Sequence, residues 1–206
     1  MLDLKKGFAQ MSQQLIVKIA LLGNAEAGKT SLMVRYVEGE FNHNYIQSLG
    51  VNFMERTITL HDNPVLLSIW DLGGESEFKN MLPLVCDGSM VFLYIFDLTS
   101  KTSLASIKEW YRQAKALNRS AFPVLVGAKY DRFRELREDK KREIIEHARR
   151  YSKAMKNCPL VFTSAELGVN INRLFKLVVC LVFGLNPGIE QIEADDQPIF
   201  EYTLIQ

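Results

Sequence analysis

Cysteine is scarce in this chain: Cys86, Cys158 and Cys180 are dispersed over 206 residues with no CxxC pair, which excludes a disulfide framework and a cysteine-based zinc site. The three histidines, His43, His61 and His147, are as widely scattered and provide no metal-ligand spacing. Neither sign of charge dominates. Lys and Arg number 25 against 24 Asp and Glu, a net charge of +1, so non-specific nucleic-acid binding through a strongly basic surface is excluded. The longest apolar run, Leu177 to Leu185, falls far short of the roughly 20 residues a bilayer span requires. The opening MLDLKKGFAQ has neither a long apolar stretch nor a glycine at position 2, so neither a secretory leader nor N-myristoylation is expected. With 48% hydrophobic and 24% charged residues, the chain is expected to be a single, soluble, cytoplasmic domain with a substantial core, and a monomer.

Strands and helices alternate along it. Leu15 to Leu22 is a β-branched apolar run ending at Gly23, the signature of a buried strand. A helix follows over Thr30 to Glu38. Val51 to Leu60 and Val65 to Trp70, separated by His61-Asp62-Asn63-Pro64, read as a hairpin. Met90 to Phe96, Val124 to Gly127 and Leu160 to Thr163 are short buried strands. Helical stripes lie over Thr102 to Leu117, with Thr102 or Ser103 as cap, around Ile144 to Met155, and over Val169 to Phe183. The pattern predicts an α/β fold, a six-stranded mostly parallel sheet with one antiparallel edge strand and helices on both faces. From Asn186 onward there are five acidic residues, no basic ones and two prolines. This segment (185–206) is expected to be a loosely attached acidic tail, and residues 1–13 a flexible extension, around a domain spanning 14–184.

Gly23-Asn24-Ala25-Glu26-Ala27-Gly28-Lys29-Thr30 fits G-x-x-x-x-G-K-[ST] after a buried strand and at a helix start. Glycines let successive backbone N–H groups, through Ser31, turn inward on a phosphate chain, and the helix N-terminus adds partial positive charge. Lys29 would reach the β and γ phosphates and Thr30 would ligate Mg²⁺. From average residue usage, the four fixed positions match by chance in about 1% of chains of this length. Asp71-Leu72-Gly73-Gly74 follows a strand. Its carboxylate suits a second Mg²⁺ anchor, and the glycine pair lets the Gly74 N–H approach the γ phosphate; alone, it is equally an ordinary turn. Asp131 in Ala128-Lys129-Tyr130-Asp131 supplies the acceptor pair that guanine N1–H and its 2-amino group require and adenine cannot use. The Lys129 stem can lie along the base, and a backbone N–H of Ser164-Ala165 can meet guanine O6. Taken singly, these last two segments are weak signals.

In this order the motifs resemble the Ras superfamily of small GTPases from about Gln14 to Gly184. Phe41 stands where that family packs an aromatic ring on guanine; Tyr45 and Ser48 fall in its first switch, with Ser48 a metal ligand, and Asp71 to Leu84 form the second. Ser31 to Phe41, Leu49 to Glu55, Ile69 to Gly74, Asn80 to Cys86, Ile107 to Gln113 and Ala128 to Asp131 are most similar to the septum-promoting, mitotic-exit branch of Rab-like GTPases. The resemblance implies a P-loop G domain that binds GTP or GDP with Mg²⁺ and hydrolyses GTP through Lys29, Gly74 and Glu75. It also implies recruitment of a protein kinase at the spindle pole body or centrosome, a spindle-pole scaffold as partner, and opposition by a two-component GAP of the Rab type.

The pattern is broken at several places. Glu75 replaces the glutamine that orients the attacking water. Two like charges about 4 Å apart at an effective dielectric of about 20 repel by about 4 kcal/mol, so very slow intrinsic hydrolysis is expected, although a GAP can bring its own Arg and Gln. Ala128 replaces the usual Asn of the guanine motif; losing its hydrogen bonds at about 1–3 kcal/mol predicts fast nucleotide exchange. Ser48 replaces the switch Thr, and Glu166 a frequent Lys, both with small expected effects. No cysteine follows Cys180, so no prenyl anchor is expected and membrane placement would come through a protein partner.

Three functional classes therefore stand side by side: a GTP-dependent switch, a GTP-loaded scaffold that scarcely turns over (motivated by Glu75), and a P-loop small-molecule kinase. The last would want an Arg-rich lid; Arg132 to Arg137 more simply reads as a solvated loop. His147 reads as structural, and Trp70, Trp110 and the Phe92–Phe96 aromatics read as core. Phe53 and Met54 admit two readings, core packing or a partner-facing patch with Trp70.

Overall fold

The computed structural model describes residues 15–42 and 50–203. Strand β1 (Leu15–Leu22) runs into the P-loop and helix α1 (Lys29–Val37). The hairpin β2 (Val51–Leu60) and β3 (Asn63–Leu72) follows, then a 3₁₀ turn over Ser76–Met81 and the short helix α2 (Leu82–Cys86). Next come β4 (Val91–Asp97), α3 (Lys101–Leu117), β5 (Phe122–Ala128), α4 (Tyr130–Phe133), α5 (Glu138–Ala154), β6 (Leu160–Phe162), α6 (Ile171–Phe183) and β7 (Phe200–Glu201).

The strands form one sheet in the order β2-β3-β1-β4-β5-β6-β7. β3, β1, β4, β5 and β6 are mutually parallel, whereas β2 and β7 pair antiparallel with β3 and β6. The mostly parallel sheet with an antiparallel hairpin edge is as expected from the alternation of elements. Its count differs: among the described residues there are seven strands rather than six, and the seventh comes from the segment expected to hang free.

Two cores flank the sheet. On one face, Val17, Ile19 and Leu21 of β1 meet Leu32, Met33 and Tyr36 of α1 and Leu174, Phe175 and Val178 of α6. The Tyr36 and Phe175 rings stack at 3.6 Å, fastening α1 to α6. On the other, Ala20, Leu22, Phe92, Tyr94 and Phe96 meet α2, α3 and α5 through Val85, Ile107, Trp110, Ile145 and Ala148. The central strands are buried on both sides, as a parallel sheet covered by helices must be. Helix α3 begins one residue earlier than expected, and Ser100, not Thr102 or Ser103, is the N-cap, its hydroxyl accepting from the Ser103 N–H at 3.2 Å.

The acidic segment after Asn186 is docked. Ile199 and Phe200 are fully buried, one entering each of the two cores because adjacent strand residues face opposite sides. Each contributes about 1.5–3 kcal/mol of apolar burial. The segment's negative charges find cations on the domain: Arg149 pairs with Asp195 and Glu201, both at 2.8 Å. A two-residue strand is too short to leave a periodic signal, so composition alone suggested a loose tail. Residues 1–13 lie outside those described, as do Leu204 to Gln206. Among the described residues, no helix is long and apolar enough to cross a membrane.

Candidate functional site

The P-loop is built at the C-terminal end of β1. Gly28 sits at φ +98°, a left-handed conformation that costs glycine nothing, and caps α1 by backbone alone. Lys29 is almost fully buried. Its ammonium arches back over the loop and donates to the carbonyls of Gly23 at 3.0 Å and Asn24 at 2.8 Å. Burial lowers its pKa below the ordinary lysine value, and the carboxylates of Asp71 and Glu75 pull it part of the way back. A desolvated cation held over a ring of backbone groups is arranged to meet an anion. Ala25, Glu26 and Ala27 complete the loop between Asn24 and Gly28, and Ser31 follows in the first turn of α1.

Thr30 and Asp71 come from different elements, the start of α1 and the end of β3, yet the Thr30 hydroxyl donates to Asp71 Oδ2 at 2.6 Å. Asp71 is fully buried. Two hard oxygen donors converging beside a phosphate loop form a donor set that fits Mg²⁺ and would not suit a softer metal. Ser48, the third expected ligand, and Tyr45 lie outside the described residues.

Gly74 lies against the P-loop itself. A Cβ on it would come within 1.9 Å of the Ala25 nitrogen and 2.1 Å of the Asn24 carbonyl carbon. Only a glycine allows the two backbones to approach so closely. The Gly73 N–H donates to the Gly50 carbonyl at 2.8 Å, which anchors the start of this segment beside β2. Glu75 follows in extended conformation and opens the 3₁₀ turn. Its electrostatic effect on Lys29 places its carboxylate in the same charge cluster.

A cavity of about 300 Å³ opens beside the P-loop, lined by Gly28, Ser31, Phe41, Lys129, Asp131 and Ala165 among others. Residues read from four separate motifs thus converge on one hollow. The Asp131 carboxylate is fixed by the Ser164 hydroxyl, which donates to Oδ1 at 2.5 Å, and Ser164 is itself fully buried. Lys129 adopts a left-handed backbone, lines the hollow, and has its ammonium paired with Asp97 at 2.7 Å. Ala128 is buried at the cavity wall, and a Cβ on Gly28 would lie 3.2 Å from the Ala128 Cβ. The P-loop and the Ala128–Asp131 segment therefore meet here through apolar contact.

Two further residues bear on the site and were not singled out for it by sequence. Trp110, read as core, is buried, and its indole N–H also donates to the Asn24 side chain at 2.9 Å, so α3 steadies the P-loop. Glu166, read as neutral, lines the cavity together with Glu26 and Arg132. An indole aimed at a loop 86 residues away leaves no local pattern to read.

Phe53 and Met54 separate by strand alternation. Met54 packs on the α1–α6 core, whereas Phe53 is 60% exposed and stacks on Trp70 at 5.6 Å. Trp70 is half-buried, packed against the core on the α2–α3 side while its outer face carries Phe53. Lys18 sits 4.2 Å over its ring and donates to the carbonyls of Leu84 and Asp87.

Comparison with known proteins bears on the whole domain. The description of the Ras family matches residues 18–183. The chain belongs to the Ras family. It is also similar to the Septum-promoting GTP-binding protein 1 of Schizosaccharomyces pombe, at 48% identity over 186 residues, covering 90% of this chain and 93% of that relative. Ras-family GTPases bind GTP and GDP, typically with Mg²⁺, and hydrolyse GTP. In this GTPase the P-loop, the Thr30–Asp71 pair and the Asp131 hollow lie together at the C-terminal ends of the parallel strands, where open α/β sheets place their ligands.

Proposed function

We propose that this GTPase is a septation-type molecular switch whose GTP-bound form recruits a protein kinase. The observation that carries the reading is the convergence of Lys29, Thr30, Asp71 and Gly74 on one loop, beside a hollow whose fixed carboxylate, Asp131, matches guanine. The 48% identity to a septum-promoting GTP-binding protein supports the cellular setting. Thr30 and Asp71, with Ser48, would hold Mg²⁺, which when bound neutralises phosphate charge. Gly74 offers its N–H where a γ phosphate would lie, so the loop that follows it senses that group. The exposed Phe53–Trp70 stack beside Lys18 is the surface through which the switch would meet its effector. A two-component GAP of the Rab type and a spindle-pole scaffold complete the proposed partners, with recruitment to the spindle pole body or centrosome.

Titration of the purified chain with labelled GTP, GDP and ATP tests the reading: tight binding of both guanine nucleotides and at least about a hundredfold weaker ATP is expected. ATP binding as tight as GTP would overturn it and favour the small-molecule kinase.

Intrinsic hydrolysis is proposed to be very slow. The Glu75 side chain has no N–H to offer the transition state, and its carboxylate adds negative charge to the cluster around Lys29. Glu75→Gln is expected to raise the single-turnover rate by about tenfold or more, since each 1.4 kcal/mol of relieved repulsion is about tenfold. An unchanged or lower rate in the variant would show that the carboxylate is not the brake. Negligible turnover that a GAP also fails to raise would favour the scaffold reading.

A further inference from the structure

We infer that the segment from Glu190 to Tyr202 is a strap that positions the guanine-reading loop, with Arg149 and Asn170 as its positioning residues. The inference rests on the nucleotide site proposed above and extends it to residues far from any phosphate.

The strap is a folded unit. Ile192 and Phe200 exchange backbone hydrogen bonds at 3.0 and 2.8 Å, and the Tyr202 hydroxyl closes the loop by donating to the Ile189 carbonyl at 2.6 Å. Arg149, on α5, holds it from one side: Nε donates to Glu201 at 2.8 Å, and the two terminal nitrogens donate to Asp195 at 2.8 Å and to the Glu193 carbonyl at 2.6 Å. Arg173 holds it from the other, its guanidinium 4.7 Å over the Phe200 ring.

Where the strap lands decides its role. Strand β6 has three residues, and its last, Phe162, immediately precedes Thr163-Ser164-Ala165. The Phe162 N–H donates to the strap's Ile199 carbonyl at 2.8 Å. The Phe162 carbonyl accepts from Asn170 Nδ2 at 2.9 Å, and the same amide donates to the strap's Pro198 carbonyl at 3.1 Å. Both polar groups of Phe162 thus end on the strap or on the side chain that grips it. Two residues on, Ser164 fixes the Asp131 carboxylate. A continuous run of hydrogen bonds and backbone therefore links the strap to the group that reads the base. Asn170 holds a left-handed backbone at φ +56°, where glycine would be easier; its amide is what glycine lacks.

Asp131 distinguishes guanine from hypoxanthine only through the 2-amino group, so its orientation is legible as selectivity. Release of labelled GDP and of labelled inosine diphosphate is measured by stopped flow on full-length Arg149→Met and Asn170→Gly, the latter keeping the backbone conformation. Loss of one or two charge-assisted or buried hydrogen bonds predicts GDP release faster by about threefold to thirtyfold. Inosine diphosphate release should change much less, so that preference for GDP falls at least threefold. The charge-swapped pair Arg149→Glu with Glu201→Arg is expected to recover part of that preference. A merely structural strap would lower thermal stability and speed both nucleotides alike; parallel acceleration, or none, overturns the inference. Should Asn170→Gly fail to fold, Arg149→Met decides alone. A chain that binds neither nucleotide overturns the functional reading, and the strap's role falls with it.

Discussion

Gly74→Ala is expected to weaken binding of a non-hydrolysable GTP analogue by about tenfold to a hundredfold while leaving GDP affinity within about threefold. The reason is steric and local. The added methyl would sit 1.9 Å from the Ala25 nitrogen and 2.1 Å from the Asn24 carbonyl carbon, both rigid backbone, so the segment from Gly74 must retreat from the P-loop. A retreat carries the Gly74 N–H out of reach of a terminal phosphate, forfeiting a charge-assisted bond that only the triphosphate makes. Lys29, Thr30 and Asp131 keep their places, which is why GDP should be spared. Equilibrium titration with both nucleotides reads the result, and Trp70, next to Asp71, offers an intrinsic fluorescence signal. Equal loss for GDP and the analogue would mean that the substitution has damaged the P-loop instead.

Ala128→Asn is expected to act in the opposite sense, slowing GDP release by about tenfold to a hundredfold. At present the P-loop and the base-reading segment meet at Gly28 and Ala128 through an apolar contact. An asparagine at this buried position can donate through its amide to the acceptor edge of guanine and accept from the P-loop backbone, joining two elements that now merely touch. Those bonds would form in a site shielded from water, where they are worth most. Dissociation of a fluorescent GDP analogue measures the effect. A release rate within twofold of the parent chain would show that the missing amide does not set the exchange rate expected from Ala128. The two substitutions abut different parts of the P-loop, Asn24–Ala25 and Gly28, so their effects on different nucleotides should add when combined.

Much of this architecture was legible because it rests on strong local rules. The P-loop could be read from eight residues because the fixed positions are each set by mechanics. Glycine stands where the backbone turns left-handed, lysine where a cation must reach back, and threonine where the helix begins. The hairpin was legible from two strand runs spaced by turn residues, although the turn itself is only His61-Asp62, both left-handed, with Asn63 and Pro64 already paired in β3, and the buried strands were legible from their apolar runs. Legibility failed where the deciding contact is long-range. Trp110 has an ordinary place in the apolar stripe of α3, and only the fold brings its N–H to Asn24. Strand β7 is two residues long, and its burial depends on partners on β6, α5 and α6. The acidity of its segment, which suggested a solvated tail, is the means by which Arg149 fastens it. The cap of α3 was misplaced because Thr102 and Ser103 are equally good capping residues by type. The backbone, extended at Ser100, makes the choice.

The docking of β7 also bears on how the molecule keeps to itself. Without it, β6 would present an open parallel edge whose unpaired amides could template a strand from a neighbouring chain, a common route to aggregation. The two residues that occupy this edge pair with it in the antiparallel sense and are too short to propagate the sheet. The half-buried carboxylate of Glu201 adds a charge that an incoming strand would have to desolvate. The same two residues that tie the strap to β6 thereby also close one edge along which a neighbouring chain could add.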